Sequence, residues 1–382
     1  MAKPRHQAPK GTADHLFDDL ELRQEVWRRI LTVLKSYGFR EIQTPAIEHI
    51  EVLSTKAGQE VYGQIYEFED KGGRRLGLKS DITAAVARVV AAKAPGLQKP
   101  IRIAVHDRVY RYERPQMGRM REFWHINAEM FGATGHFADA ELLACFVDSY
   151  VAVGLEAFEI RISDRNLLGR LLASWGVMDS QAAAVIRVLD KRLKLPRNEW
   201  TDELLASGFP NDKLPDLEKV LGLGGQVDDL SGAMAALGHL PDILPVLDRL
   251  GALGEALVLF GVHRRCCFDF SIARSSEYYT GLIFECFHAP TSDGHSYGAI
   301  GGGGRYDNLV ETYGGTPIEA AGFAIGFERV ILLLQSLDLA GRLQRRPPEV
   351  YVGYSTPDAT ERACRIAQPE ASVLPSPCAA LA

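Results

Sequence analysis

The stretch from Val109 to Gly132, VYRYERPQMGRMREFWHINAEMFG, constrains the fold of this chain more than any other. Residues alternate at its start, a middle with Pro115 and Gly118 follows, and alternation resumes from Phe123 to Phe131. Period two on both sides of such a middle predicts an antiparallel hairpin with a long loop. The stretch carries Arg111, Arg114, Arg119 and Arg121 with Glu113 among them, a set that suits a polyanion such as a nucleoside triphosphate. On the returning strand Glu129 follows His125 by four residues, so the two share a face. A carboxylate aimed into an arginine-rich site is placed to read a cationic substrate group. Taken alone, the same hairpin reads equally well as a solvated basic ribbon.

The chain's 382 residues give room for two or three domains. A net charge of −6 provides no overall attraction to nucleic acid, so an RNA contact would use a local basic face. Six cysteines show no C-x-x-C spacing, which argues against a zinc site or a disulfide framework and fits a reducing cytosol. The opening MAKPRHQAPKG lacks the apolar segment of a secretory signal, and no apolar run of membrane-spanning length is seen. These features predict a cytoplasmic protein with no membrane partner.

Pro9-Lys10-Gly11-Thr12 reads as a turn. Leu22, Val26, Trp27, Ile30, Leu34 and Tyr37 recur at helical spacing, and Gly38 follows as a stop. Phe39 to Thr44 reads as a short strand ended by Pro45. Two strand-like pieces, IYEFED and RRLGLK, flank the turn Lys71-Gly72-Gly73. Ser80-Asp81-Ile82-Thr83 then leads into a helix over 84–92. Asp81 or Thr83 serves there either as a helix cap or as a ligand for an amine. Ile101 to Val105 reads as a strand entering the central hairpin, Ala138 to Val153 as a helix, and Ala157 to Ile162 as a strand. From Asn166 to about Gly261 the pattern is mostly helical, with mixed charge, and Gly222-Leu223-Gly224-Gly225 inside it reads as a loop.

Further on, Arg274, Glu277, Tyr278 and Tyr279 lie in a short polar segment before a strand over Leu282 to Phe287. The glycines of Gly301-Gly302-Gly303-Gly304 permit very close backbone approach, although glycine runs are also common in flexible loops. In AAGFAIGFERVILLL, from Ala320, a small-residue strand runs into an apolar helix with Glu328 and Arg329 at its start. Pro347-Pro348 reads as a linker, followed by the opening strand and helix of a further α/β unit that is too short to bury its own core.

Several of these motifs together resemble one family. YRYERPQMGRMREFWHINAEMFG is similar to motif 2 of the class II aminoacyl-tRNA synthetases in their histidyl form. GFAIGFERV is similar to motif 3, and the Leu22–Pro45 helix and strand to motif 1, the dimerisation element. ARSSEYYTG and GGGRYDNL resemble the two histidine-specific signatures. The resemblance runs from about Pro9 to Leu337 and implies an α+β fold, the class II catalytic core, in which a mostly antiparallel sheet is flanked by helices and interrupted by a helical insertion. The expected division is 1–165 for the first part of the core, 166–262 for the insertion, 263–342 for the rest of the core, and 343–382 for a linker and the remnant of an anticodon-binding domain.

The resemblance also implies an activity, histidine activation by ATP with Mg2+ followed by transfer to tRNA(His), carried out by a homodimer. Carried over by position, Arg111 and Arg274 act at the α-phosphate, with Arg111 also touching the carboxylate. Glu113 sits by the adenine, Arg119 and Arg121 hold the outer phosphates, and Arg329 clamps the triphosphate from the other side. Asp81, Ile82, Thr83, His125, Glu129, Arg274, Tyr278 and Tyr279 bind histidine, and no residue is assigned to a protein-held metal. The chain departs from the family pattern in several places. His125 stands where Gln is usual and brings a group that can charge near neutral pH. Asp81 is a methylene shorter than the frequent Glu, and Ser275-Ser276-Glu277 replaces Gly-Leu-Asp, with Ser275 expected to crowd the loop of Arg274. The shortened C-terminus leads to an expectation of weaker tRNA discrimination. The runner-up is the related regulatory subunit of ATP phosphoribosyltransferase, which lacks the anticodon domain and partners a catalytic subunit. The retained arginine set favours the synthetase reading.

Overall fold

The computed structural model describes residues 7–55, 59–115, 118–192, 195–274, 276–291 and 294–343, with the two short strands Tyr351–Val352 and Ala379–Ala380 beyond them. In chain order the elements are α1 (Phe17–Ser36), β1 (Arg40–Glu41), β2 (Ile47–His49), α2 (Ile50–Ser54), α3 (Gln59–Tyr62), β3 (Glu67–Glu69), β4 (Arg75–Leu78), α4 (Ile82–Lys93), β5 (Ile101–Tyr110), β6 (Glu122–Phe131), α5 (Gly135–Ala152) and β7 (Phe158–Asp164). There follow α6 (Arg165–Ser174), α7 (Asp179–Leu189), α8 (Arg197–Ala206), α9 (Leu214–Leu221), β8 (Gly224–Gln226), α10 (Ser231–Leu237) and α11 (Leu244–Leu259). The chain returns through β9 (Cys266–Asp269), β10 (Leu282–His288), β11 (Ala299–Arg305), α12 (Leu309–Thr312), β12 (Ala320–Gly326) and α13 (Phe327–Ser336).

Nine strands form one sheet in the order β1-β5-β6-β12-β11-β10-β7-β9-β8. Its centre, from β5 to β7, is antiparallel throughout. Parallel pairs occur toward the two edges, at β1–β5 and β7–β9. This is the α+β architecture expected, with an antiparallel-dominated sheet flanked by helices. The predicted hairpin is β5 and β6, paired from Ile101 with Phe131 to Tyr110 with Glu122.

Strand alternation separates two cores. Ile126, Ala128 and Met130 of β6 join one cluster with Leu22, Val26, Ile30 and Leu34 of α1 and with α5 and α11. Phe131 joins a second with Ile82, Val86 and Val90 of α4 and Leu309 and Val310 of α12. The second face is only partly covered by helices, and the uncovered part holds the site. Within residues 166–262, Val185, Trp200, Leu204 and Leu217 form a separate cluster, while Val246, Leu250 and Leu257 of α11 belong to the main core.

Three local expectations change. The strand over Phe39–Thr44 shortens to Arg40–Glu41, because Thr44 turns inward to accept Lys79 Nζ at 2.9 Å. Gly224–Gln226 is an edge strand rather than a loop. A Cβ at Gly224 would collide with the Phe268 carbonyl, so glycine is what allows β8 to lie against β9. The glycines from 301 to 304 form an interior strand, β11, where glycine permits close packing instead of flexibility. Ser275 and nearly all of 343–382 lie outside the described residues.

Candidate active site

A cavity of about 380 Å³ opens on the uncovered sheet face. Arg111, Glu113, Arg119, Arg274 and Arg329 line it, together with Asp81, Thr83, His125, Tyr278 and Tyr279. They come from several separate stretches of the chain. Arg111 follows β5, and its Nε donates to the Ser80 carbonyl at 3.0 Å while its guanidinium lies 5.5 Å from the Phe123 ring. Arg119 sits on the hairpin loop, 3.8 Å from Glu113. Arg329 is in the first turn of α13 and donates to the Ala299 carbonyl. Burial first, and then the charge of Arg119, act against the charge of Arg329 and lower its pKa. Such a group gains from a bound polyanion.

Behind the wall, bonded to the lining residues Thr83 and Tyr306, is a buried carboxyl. Glu129 is 1% exposed. Its Oε1 accepts from Thr83 Oγ1 at 2.7 Å and from Asn127 Nδ2 at 2.9 Å, and Tyr306 Oη donates to Oε2. Burial pushes the Glu129 carboxyl up to about 8, against the opposing effect of the Asn127 and Thr83 hydrogen bonds. Room for this meeting comes from Gly322, directly across the ladder from Glu129, where a Cβ would strike both Glu129 Oε2 and Tyr306 Oη. Above it, the Tyr278 ring stands edge-on to Tyr306 at 5.8 Å.

Asp81 takes the capping role at the cavity wall. It is the N-cap of α4, its Oδ1 accepting from the Thr83 N–H at 2.7 Å, and it also lines the cavity. His125 does not behave as expected. Burial, and then the fields of Arg111 and Arg329, push its imidazole down to about 3, so it is neutral across the physiological range rather than charging near pH 7. Three assigned residues do not line the cavity. Glu129 meets it only through Thr83 and Tyr306, which do. Ile82 is fully buried in the second apolar core. Arg121 stacks 4.2 Å from the Tyr112 ring and donates from Nε to the Glu113 carbonyl at 3.2 Å, bracing the loop.

Arg274 precedes β10. Its Nη1 is 3.1 Å from Glu285 Oε1, and its guanidinium lies 5.3 Å from the Tyr279 ring. Gly302 lies alongside, and a Cβ there would collide with Arg274 Nη1. Sequence reasoning missed Asn127, Glu285, Tyr306 and the insertion residue Asp190, which lines the cavity from the end of α7. A signal existed for Tyr306, which falls within GGGRYDNL, and for Asn127, which shares the strand face of His125 and Glu129. No local signal marks Glu285 or Asp190.

Known proteins place this arrangement. The family description "Histidyl-tRNA synthetase" matches residues 11–330. The histidine–tRNA ligase of Thermococcus kodakarensis is 38% identical over 343 residues, covering 90% of this chain and 77% of that one. The crystal structure of histidyl-tRNA synthetase from Nostoc sp. PCC 7120 superposes with a TM-score of 0.77 at 26% identity, over 96% of this chain and 83% of that one. A Bacillus halodurans structure described as an ATP phosphoribosyltransferase regulatory subunit/histidyl-tRNA synthetase gives a TM-score of 0.79 at 22% identity, over 96% and 90%, a likeness of fold.

Proposed function

The chain belongs to the histidyl-tRNA synthetase family, and on that premise we propose that its cavity joins L-histidine to ATP and then to tRNA(His). It is an ATP-dependent aminoacyl-tRNA synthetase, a histidine–tRNA ligase. In the first step a histidine carboxylate oxygen bonds to the α-phosphorus, the bond from that phosphorus to the bridging oxygen of the β-phosphate breaks, and pyrophosphate leaves. In the second, the terminal ribose hydroxyl of tRNA(His) attacks the activated carbonyl and AMP departs.

In this reading Arg111 and Arg274 stabilise charge on the five-coordinate phosphorus. Arg119 and Arg329 grip the outer phosphates, and Glu113 meets the adenine. Asp81 and Thr83 take the amine, while Glu129, Tyr278 and Tyr279 take the imidazole, with Tyr306 and Asn127 orienting the Glu129 carboxyl. Neutral His125 offers one acceptor or donor beside the carboxylate. Arg121 acts through the loop that it braces. Magnesium favours phosphate oxygens with one or two carboxylates, and Glu285 on the cavity wall is of that kind. Bound there, the ion would supply positive charge to the phosphates. We place the enzyme in the cytoplasm as a homodimer through α1, whose exposed Leu16, Phe17 and Leu20 support such a contact. No helix among the described residues is long and apolar enough to cross a membrane.

One observation carries the reading: four arginines converge on a cavity also lined by Asp81, Thr83, Tyr278 and Tyr279, with the buried Glu129 carboxyl bonded to Thr83 behind the wall. The ligase name of relatives at 38% identity favours it over the regulatory alternative. The test is histidine-dependent exchange of pyrophosphate into ATP. Wild-type protein exchanges, and Arg274→Ala loses about 10²–10³-fold in kcat. No exchange, with stimulation of a phosphoribosyltransferase catalytic subunit instead, would overturn the reading.

A further inference from the structure

Arg274 holds an unusual backbone. Its φ is +41°, a region that residues with a side chain seldom occupy. Such a conformation persists only where the surroundings over-determine it. The far end of the side chain is fixed by Glu285, Tyr279 and the open space at Gly302. The backbone end is fixed by one residue. Arg165 Nη1 donates to the Ala273 carbonyl at 3.1 Å and to the Arg274 carbonyl at 2.9 Å. The Arg165 N–H donates to the Gly281 carbonyl at 2.8 Å, and Asn166 Nδ2 to the Thr280 carbonyl at 2.9 Å. The first two residues of α6 therefore hold both ends of the segment from 273 to 281.

We infer that Arg165 is a positioning residue for adenylate formation, clamping the Arg274 backbone in its left-handed turn so that the guanidinium reaches the cavity. The inference rests on the synthetase reading for its catalytic consequence. Both bonds leave one guanidinium nitrogen, whose two N–H groups are fixed in the guanidinium plane, a direction that a lysine ammonium on its flexible stem does not hold. Arg165 does not line the cavity and acts through Arg274. Loss of the clamp releases the turn and leaves the outer-phosphate arginines, Arg119 and Arg329, where they are.

The experiment compares wild type, Arg165→Met, Arg165→Lys and, as a control on the same helix, Arg170→Met. Arg170 donates to the Asp242 carbonyl away from the site. For Arg165→Met, kcat of histidine-dependent exchange is expected to fall ~10²-fold, the loss that a misplacement of about 1 Å produces, with the KM for ATP within about twofold of wild type because only a transition-state contact is lost. Arg165→Lys should regain about tenfold of that loss, in line with one carbonyl bond restored. Arg170→Met should match wild type. A crystal structure of Arg165→Met should show Arg274 out of the positive-φ region or its guanidinium off the Tyr279 ring. Wild-type kcat in Arg165→Met, or Arg274 unmoved in the crystal, would overturn the inference. If Arg165→Met does not fold, Arg165→Lys carries both readouts. If wild type itself shows no exchange, the functional reading fails, while the crystal comparison still decides whether Arg165 holds Arg274.

Discussion

Glu129 shows how a single side chain depends on residues that no local pattern connects to it. Its place on the face of His125 was readable from period two. Its neutrality was not, because that comes from burial by segments far along the chain, against which the hydrogen bond from Thr83, 46 positions earlier, works. The consequence is a pH dependence of stability. The folded carboxyl titrates at about 8 and the free one at 4.5. Between those values the folded chain holds a proton that the unfolded chain has released, so stability falls as pH rises through the window. Asp139, pushed up to about 6 mainly by burial, adds a slope of the same sign at lower pH. Below pH 6.5 the lowered His125 and His106 slope the other way, so we predict that the urea midpoint of wild type declines from about pH 6.5 to pH 8 and that Glu129→Gln flattens that decline. Parallel profiles for the two proteins would refute this assignment.

Among the elements, the joint between α1 and α13 ties the first motif of the chain to the last. Arg23 donates twice to Glu328, at 3.1 and 2.7 Å, and Glu328 also accepts the Trp124 N–H at 3.3 Å. Both side chains are largely enclosed, at 10% and 14% exposure. Removing one member of such a pair strands the other charge and costs about 3–5 kcal/mol. Arg23→Met should lower the unfolding free energy by about that amount, and Glu328→Gln introduced on top should return part of it while keeping an acceptor for Trp124. A double variant no more stable than Arg23→Met in chemical denaturation would count against the pairing. Helices and the hairpin were legible because α1 and β6 carry clean periodicity over a full face. β8 and β11 were not, since glycine has no side chain to show a period, and pairing partners far along the chain decide their state.

At the scale of the molecule, the cavity draws on segments from Leu53 to Arg329, most of them gathered around the nine-stranded sheet. Ligands that bind this assembly and not the unfolded chain must stabilise all of it. Histidine with a non-hydrolysable ATP analogue, each at about a hundred times its dissociation constant, should together raise the unfolding free energy by at least ~2.7 kcal/mol, the amount for a single such site. The gain should be visible as a higher melting temperature and reduced in Arg329→Ala. An unchanged melting temperature in wild type would contradict the proposed site. The family and the general place of the site were legible because several spaced motifs agreed. The contribution of Asp190, from an inserted helix, was not, because nothing in its own stretch distinguishes it from a solvated acidic residue.

The four glycines of β11 carry one more implication. Glycine is the one residue with no Cβ, and at 301, 302, 303 and 304 even that atom would strike a neighbour. Every amino-acid replacement there is thus a lesion of size before it is one of chemistry. Over generations this ribbon leaves the gene little latitude. Its cost would be felt on both flanks, since one side of the strip seats Arg274 beside β10 and the other adjoins β12, next to the strand of Glu129.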